Sequence, residues 1–180
     1  MNQESGRKDG VTERILLAVD DSVEARRALE YVGRIVGSHG DFGVVLYHRL
    51  PALPPQLREH GGSEYPERET ELGRELSKKI AAWVSSLEAA LTPTLTALQD
   101  ELIAWGMSPA LMESCIDEDV YPGESLVGAL RRVARERGCG TIAVAREHVP
   151  ITDGVDGFFH HHTGDTLVRE GIGFAVWVIE

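Results

Sequence analysis

Short apolar segments alternate with longer amphipathic segments along this chain. Residues 14–19 and 43–48 are mainly apolar without alternation, which is typical of strands buried on both faces of a parallel sheet. Between them, Asp21 and Ser22 are suitable helix N-cap residues, and Glu24 stands three positions after Asp21 as in a capping box. At helical spacing, the core-facing residues of this helix would be Ala28, Val32, Ile35 and Val36. This part of the chain therefore predicts a strand, a helix and a second strand.

A second amphipathic helix follows a polar, proline-rich loop at 51–66. Its apolar stripe consists of Leu72, Leu76, Ile80, Trp83, Val84, Leu87 and Leu91. We predict that Pro93 interrupts this helix, because the residue before a proline disfavours helical backbone angles. The helical period then resumes up to Gly106. Further strands are predicted at 109–115, 141–145 and 174–179, and further helices at 122–137 and from about residue 164.

The alternation of strands and helices predicts an α/β fold, a three-layer, doubly wound parallel sheet of five strands with right-handed crossovers. We expect a flexible tail at 1–13 and a single domain at 14–180, because this length is ordinary for one core. In such sheets ligands bind beyond the carboxyl ends of the strands, where the strand order reverses. The residues predicted at those ends are 20–22, His48, Arg49 and 145–166.

Composition narrows the class of protein further. The chain has 18 Lys and Arg against 29 Asp and Glu, a formal net charge of −11. This balance argues against a nucleic-acid partner, because phosphate contacts need clustered basic side chains. Cys115 and Cys139 are too few for a disulfide framework and fit reduced thiols, with Cys115 as a buried small hydrophobe. With no leader-like or membrane-spanning pattern in the sequence, we expect a cytoplasmic protein without a membrane partner.

The segment 147–168 contains acidic residues and four of the seven histidines but no Lys or Arg. Gly154 and Gly157 lie within it, and Gly164, Asp165 and Thr166 open the predicted helix. A glycine loop that runs into a helix N-terminus can cradle phosphate, because free N–H groups and the helix dipole favour an anion. The alternative interpretation is a surface loop with a glycine-assisted helix cap.

Three adjacent histidines in this segment indicate a metal site as one interpretation. Imidazoles and carboxylates are suitable ligands for Zn²⁺ or a similar ion. Because adjacent side chains diverge on a strand or helix, we assign His160 and His162 as the candidate ligands and leave out His161. The alternative is a solvated or partly packed histidine cluster.

Familiar catalytic motifs are missing from the sequence. A nucleophile elbow, a phosphate-binding P-loop, a zinc-protease motif and a dinucleotide fingerprint after the first strand are all absent. We therefore predict no catalytic residue and expect a binding protein. Asp20 has two interpretations, a contribution to the helix cap or a hydrogen bond with the ribose or amine of a ligand.

The strand ends together resemble those of the universal stress protein family. Residues 15–22, followed by an alanine-containing helix, are similar to the opening of that family. Residues 44–48 are similar to its second strand, which commonly ends in a histidine. Residues 141–146 and 164–179 are similar to its fourth strand and to its closing helix and strand. The resemblance covers nearly all of the chain from residue 14 onward.

The resemblance implies the strand order 3-2-1-4-5, a homodimer, and ATP or AMP bound in the cleft between strands one and four. Asp20 would meet the adenosine, with Asp21 and Ser22 beside it, and the backbone near Arg49 would contact adenine. The phosphates would rest on a glycine loop after strand four. In this sequence, the cofactor-binding residues implied by that loop are Ala145, Gly154, Gly157, Gly164, Asp165 and Thr166.

The phosphate loop of this sequence departs from the family pattern. Ala145 and His148 stand where glycines are expected, and the spacing from Gly157 to Gly164 is shorter than in the family. Asp165 replaces the usual Ser or Thr, and its carboxylate would repel a phosphate unless a divalent cation bridged the two. The sequence therefore predicts a degenerate site with weak or adenosine-only binding.

Two functional hypotheses follow. One is a stress-response or signalling module that responds to an adenine nucleotide, with slow ATP hydrolysis as the enzymatic alternative. The other is a nucleotide-independent homodimerisation or partner-binding module whose remodelled loop serves a partner or a metal. In both, the apolar strand at 174–179 would lie at the sheet edge and pair with a second copy, since an unpaired edge strand favours association.

Overall fold

In a computed structural model, the structure describes residues 13–58, 61–62, 64–118, 123–146, 163–170 and 173–180. Five parallel strands form one sheet in the order β3-β2-β1-β4-β5. The predicted α/β fold and strand order are confirmed. The strands are β1 (Glu13–Ala18), β2 (Phe42–Arg49), β3 (Met112–Asp117), β4 (Thr141–Ala145) and β5 (Ala175–Ile179).

Helices cover both faces of this sheet. They are α1 (Val23–Val36), α2 (Pro66–Ala104), α3 (Leu126–Glu136) and α4 (Thr163–Glu170), with short 3-10 turns at Pro55–Leu57 and Pro109–Leu111. Successive strand residues point to opposite faces, so Leu17 packs in the layer of α1 and α2. Its neighbour Leu16 packs in the layer of α3 and α4. Burial on both faces explains the unbroken apolar runs of β1 and β2.

Helix α1 begins one residue later than a cap at Asp21 would place it. Ser22 is the N-cap, and its Oγ accepts a hydrogen bond from the Ala25 N–H at 3.0 Å. The third helical position is therefore Ala25, and the predicted capping box between Asp21 and Glu24 does not form. The prediction for Ile35 is also wrong. We predicted it on the core face of the helix, but this residue is 41% exposed.

The predicted break at Pro93 is wrong. Helix α2 runs without interruption through Pro93, over 39 residues. A proline inside a helix removes one main-chain hydrogen bond and costs about 3 kcal/mol. Leu95, Leu98 and Leu102 lie beyond it and are buried in the core, and each buried leucine contributes about 1.5–3 kcal/mol. Tertiary burial therefore outweighs the local preference of Pro93.

Strand β3 lies further along the chain than predicted. Residues 109–111 form a 3-10 turn, and the strand runs from Met112 to Asp117. Cys115 is therefore inside the strand, where it is buried, and burial raises the pKa of its thiol. Burial also raises the pKa of Cys139 to about 11. Both thiols are free and buried, as the sequence predicted for Cys115.

Among the described residues, the search for a helix both long and apolar enough to cross a membrane finds none.

The far end of α2 provides a test of core packing. Leu102 is fully buried, whereas its neighbour Ile103 is 41% exposed. We expect Leu102→Ala to lower the free energy of unfolding by about 2–5 kcal/mol, because it leaves a cavity between α2 and the sheet. Ile103→Ala, the matched control, should change it by about 0.5 kcal/mol or less. Urea denaturation measures both, and equal losses for the two variants would contradict this packing.

Candidate functional site

A cavity of about 400 Å³ opens beyond the carboxyl ends of β1, β2 and β4. The strand order reverses at this point. From β1 the chain continues to β2 and β3 on one side of the sheet, whereas β4 and β5 lie on the other side of β1. The cavity is lined by Ala18, Val19, Asp20, Ser22, Glu24, Ala25, Tyr47, His48, Arg49, Leu126, Val144, Ala145 and Thr163. Pockets of this size accommodate small organic ligands.

Asp20 and Ser22 form the turn between β1 and α1. The Ser22 N–H donates to Asp20 Oδ1 at 2.9 Å, and Ser22 Oγ accepts from the Ala25 N–H. The Oδ2 atom of Asp20 has no hydrogen-bond partner within the described part of the chain. Asp20 therefore shapes the turn with one oxygen and retains the other at the cavity.

A histidine joins the ends of β1 and β2. His48 Nδ1 lies 2.9 Å from the Val19 carbonyl oxygen. A carbonyl only accepts hydrogen bonds, so Nδ1 carries the proton in this contact. The Val19 N–H in turn donates to the Tyr47 carbonyl at 2.8 Å. These two bonds hold the strand ends together where they border the cavity.

A buried polar network lies behind the Tyr47 wall of the cavity. Asp117, at the end of β3, is only 8% exposed. Its Oδ2 accepts hydrogen bonds from the Tyr47 hydroxyl at 2.7 Å and from Arg132 Nη2 at 3.0 Å. Burial and the Asp117 hydrogen bond together raise the pKa of Tyr47 above its ordinary value. Tyr47 therefore remains a neutral donor to a buried carboxylate.

The same network reaches Arg49 from the other side. Arg132 Nε donates to Glu124 Oε2 at 3.1 Å, and Arg49 Nη2 donates to the Glu124 carbonyl oxygen at 2.9 Å. Glu124 precedes α3 and so links that helix to β2. Arg49 is thereby held at the cavity wall by a main-chain oxygen, while Asp20 and Glu24 supply two carboxylates to the same lining.

Four of the predicted binding residues meet in this cavity: Asp20, Ser22, Arg49 and Ala145. Asp21 is exposed beside it and does not line it. In α4, Thr163 lines the cavity, whereas the predicted residues Gly164, Asp165 and Thr166 do not. Gly164 packs against β5, where a Cβ would stand 2.8 Å from Val178 Cγ1. Close contact between α4 and β5 is therefore one structural reason for a glycine at 164.

The remaining predicted residues, Gly154, Gly157, His160 and His162, lie outside the described residues. Over 13–58, 61–62, 64–118, 123–146, 163–170 and 173–180, no three His, Cys, Asp or Glu side chains form a metal-binding group.

Sequence reasoning missed the network behind the cavity. Asp117 was not considered because the third strand was predicted to end at residue 115. The sequence did contain a signal for this network. Asp117 directly follows the apolar Ile116, and Arg132 lies on a helix whose buried residues are apolar. Tyr47 was assigned only to a strand, although the hydroxyl of a buried tyrosine usually has a partner.

Comparison with known proteins supports the fold. Neither protein-family models nor curated proteins match the sequence. Solved structures do match. A universal stress protein in complex with cAMP is 14% identical, with a TM-score of 0.57 over 94% of this chain and 98% of that chain. This chain has the universal stress protein fold.

Two further structures agree with this fold. The universal stress protein UspA from Lactobacillus plantarum is 14% identical, with a TM-score of 0.55, covering 94% of this chain and 99% of that one. A universal stress protein from Archaeoglobus fulgidus is 17% identical, with a TM-score of 0.50 and coverages of 94% and 95%. The sequence resemblance to this family is therefore confirmed at the level of the fold, over nearly the whole chain.

The Tyr47 hydroxyl provides a test of the network. Tyr47→Phe removes the hydroxyl that donates to Asp117 Oδ2 and leaves this buried carboxylate less compensated. We expect the free energy of unfolding to fall by about 1–3 kcal/mol. Tyr31→Phe, at an exposed position on α1, is the matched control and should be neutral. A Tyr47→Phe variant as stable as the parent in urea denaturation would contradict the role of this bond.

Proposed function

We propose that this chain is a universal-stress-protein-like stress-response or signalling module that binds an adenosine compound weakly in the cavity at the ends of β1, β2 and β4. The observation that carries the proposal is the open cavity of about 400 Å³ at the reversal of strand order, with Asp20 at its edge. Ligands of doubly wound sheets bind at this place. A protein of the same fold has been solved in complex with cAMP.

The charges of the described lining favour the nucleoside part of such a ligand over its phosphates. Asp20 and Glu24 supply two carboxylates, and Arg49, the basic residue of that lining, already donates to Glu124. Asp165 does not line the cavity, but it adds a carboxylate two residues after Thr163, which does. Like charges disfavour an anion here, so base and ribose would provide most of the affinity. A divalent cation would improve the binding of ATP by screening this repulsion.

A comparison of Asp20 with Asp21 tests the proposal. Asp20→Asn keeps the Oδ1 acceptor of the turn but removes the charge, so a charge-assisted bond to the ligand is lost. We expect adenosine affinity to fall about tenfold, the equivalent of about 1.4 kcal/mol. Asp21→Asn removes the same charge from a residue outside the cavity lining and should leave affinity unchanged. Isothermal titration calorimetry measures both variants.

The same calorimetry with adenosine, AMP and ATP tests the charge argument. Without metal, we expect ATP to bind no more tightly than adenosine, and Mg²⁺ or Mn²⁺ to improve ATP alone. Submicromolar binding of metal-free ATP would contradict the repulsion. A parent chain that binds none of the three compounds would overturn the proposed function.

A second function, homodimerisation through β5, is supported by the position of that strand. β5 is at the sheet edge, and among the described residues only β4 pairs with it. The Ala175 N–H donates toward β4, to the Gly140 carbonyl. Backbone groups alternate in direction along a strand, so Val176 and Val178 direct theirs away from β4. Such an edge favours pairing with a second copy.

Two variants at Val176 test this dimer. Val176→Pro removes an outward N–H while keeping the hydrogen bonds to β4, and proline is tolerated on an edge strand. We expect a dimer for the parent chain and for Val176→Ala, and a shift toward monomer for Val176→Pro. Light scattering at tens of micromolar protein measures the mass. A monomeric parent chain would contradict the homodimer, independently of ligand binding.

A further inference from the structure

His48 is placed in the cavity wall with one ring nitrogen already engaged. Its Nδ1–H donates to the Val19 carbonyl at 2.9 Å. In the neutral ring this leaves Nε2 as an acceptor with no proton. Within the described residues Nε2 has no hydrogen-bond partner, and the side chain is half-buried in the lining. The contact with Val19 therefore fixes the tautomer and offers one acceptor of known type.

Three other polar side chains of the wall each make a hydrogen bond within the protein. Ser22 Oγ accepts from the Ala25 N–H, the Tyr47 hydroxyl donates to Asp117, and Arg49 donates to Glu124. The two carboxylates of the described lining, Asp20 and Glu24, are also acceptors. These carboxylates and His48 Nε2 match a ligand that presents hydrogen-bond donors.

We infer that His48 is a specificity-determining residue, whose Nε2 accepts a hydrogen bond from the exocyclic amine of a 6-aminopurine and disfavours a 6-oxopurine. This inference rests on the proposed binding of an adenosine compound. The amine of adenosine donates to Nε2, whereas the 6-oxo oxygen of inosine would place two acceptors against each other. An unpaired polar group in a partly dry site discriminates strongly between ligands that otherwise have the same shape.

Two substitutions separate the two ring nitrogens of His48. In His48→Asn, the amide nitrogen stands near the position of Nδ1 and can still donate to Val19, but nothing replaces Nε2. In His48→Gln, the amide reaches the position of Nε2, and its rotation can present either an oxygen or an N–H. The first variant removes the acceptor, and the second replaces it with a group that suits both purines.

The experiment is calorimetry of the full chain with adenosine and inosine at pH 8. We expect the parent to bind adenosine at least about tenfold more tightly than inosine, about 1.4 kcal/mol. His48→Asn should lose this preference through weaker adenosine binding, with inosine unchanged. His48→Gln should lose it through tighter inosine binding, with adenosine nearly unchanged. Thermal unfolding of both variants shows whether they are folded.

The outcomes distinguish this inference from the proposed function. A parent chain that binds adenosine but binds inosine equally well overturns the role of His48 and leaves the proposed function standing, and this result needs no variant. An adenosine preference that survives in both folded variants does the same. A parent chain that binds neither nucleoside overturns the proposed function, and the inference with it.

Discussion

Burial of a parallel sheet on both faces is the constraint on which this structure depends. Helices α1 and α2 cover one face and α3 and α4 the other, so the strand interiors contain apolar side chains in both directions. Polar groups with access to water are displaced to the strand ends. At the carboxyl ends, the reversal of strand order between β2 and β4 separates the covering helices and opens the cavity. The location of the site is thus a consequence of how the core is covered.

The wall of that cavity is ordered by polar contacts between elements that are distant in the chain. Asp117 of β3 accepts hydrogen bonds from Tyr47 of β2 and Arg132 of α3. Arg132 also donates to the Glu124 carboxylate. A buried carboxylate is tolerated only with such partners, because its desolvation is otherwise costly. The network therefore stabilises the relative positions of β2, β3 and α3. It also holds Arg49 through one of its N–H groups, which donates to the Glu124 carbonyl, and so positions this cation at the cavity wall.

Most of the fold could be predicted from local patterns. Unbroken apolar runs located β1, β2 and β4 to within about one residue, and the strand–helix alternation predicted a parallel sheet. The errors share a physical cause. Pro93 does not end α2, because packing against the sheet outweighs its local preference. Ile35 faces solvent, because tertiary packing supplies no partner for its side chain. Asp20, Ser22, Arg49 and Ala145 line one cavity, since strand ends can be located from the sequence, and their role in binding stays a prediction.

The amino-acid sequence by itself determined the class of fold, the ends of β1, β2 and β4 to within about one residue, and the acidic character of the chain. These features depend on residues close together in the chain. Tertiary structure decided which polar groups are already occupied. Tyr47 and Asp117 are 70 residues apart, and His48 and Val19 are 29 apart. No periodicity records such pairs, because a hydrogen bond depends on positions in space rather than on spacing along the chain. The acceptor that His48 offers to a ligand is therefore a property of the folded molecule.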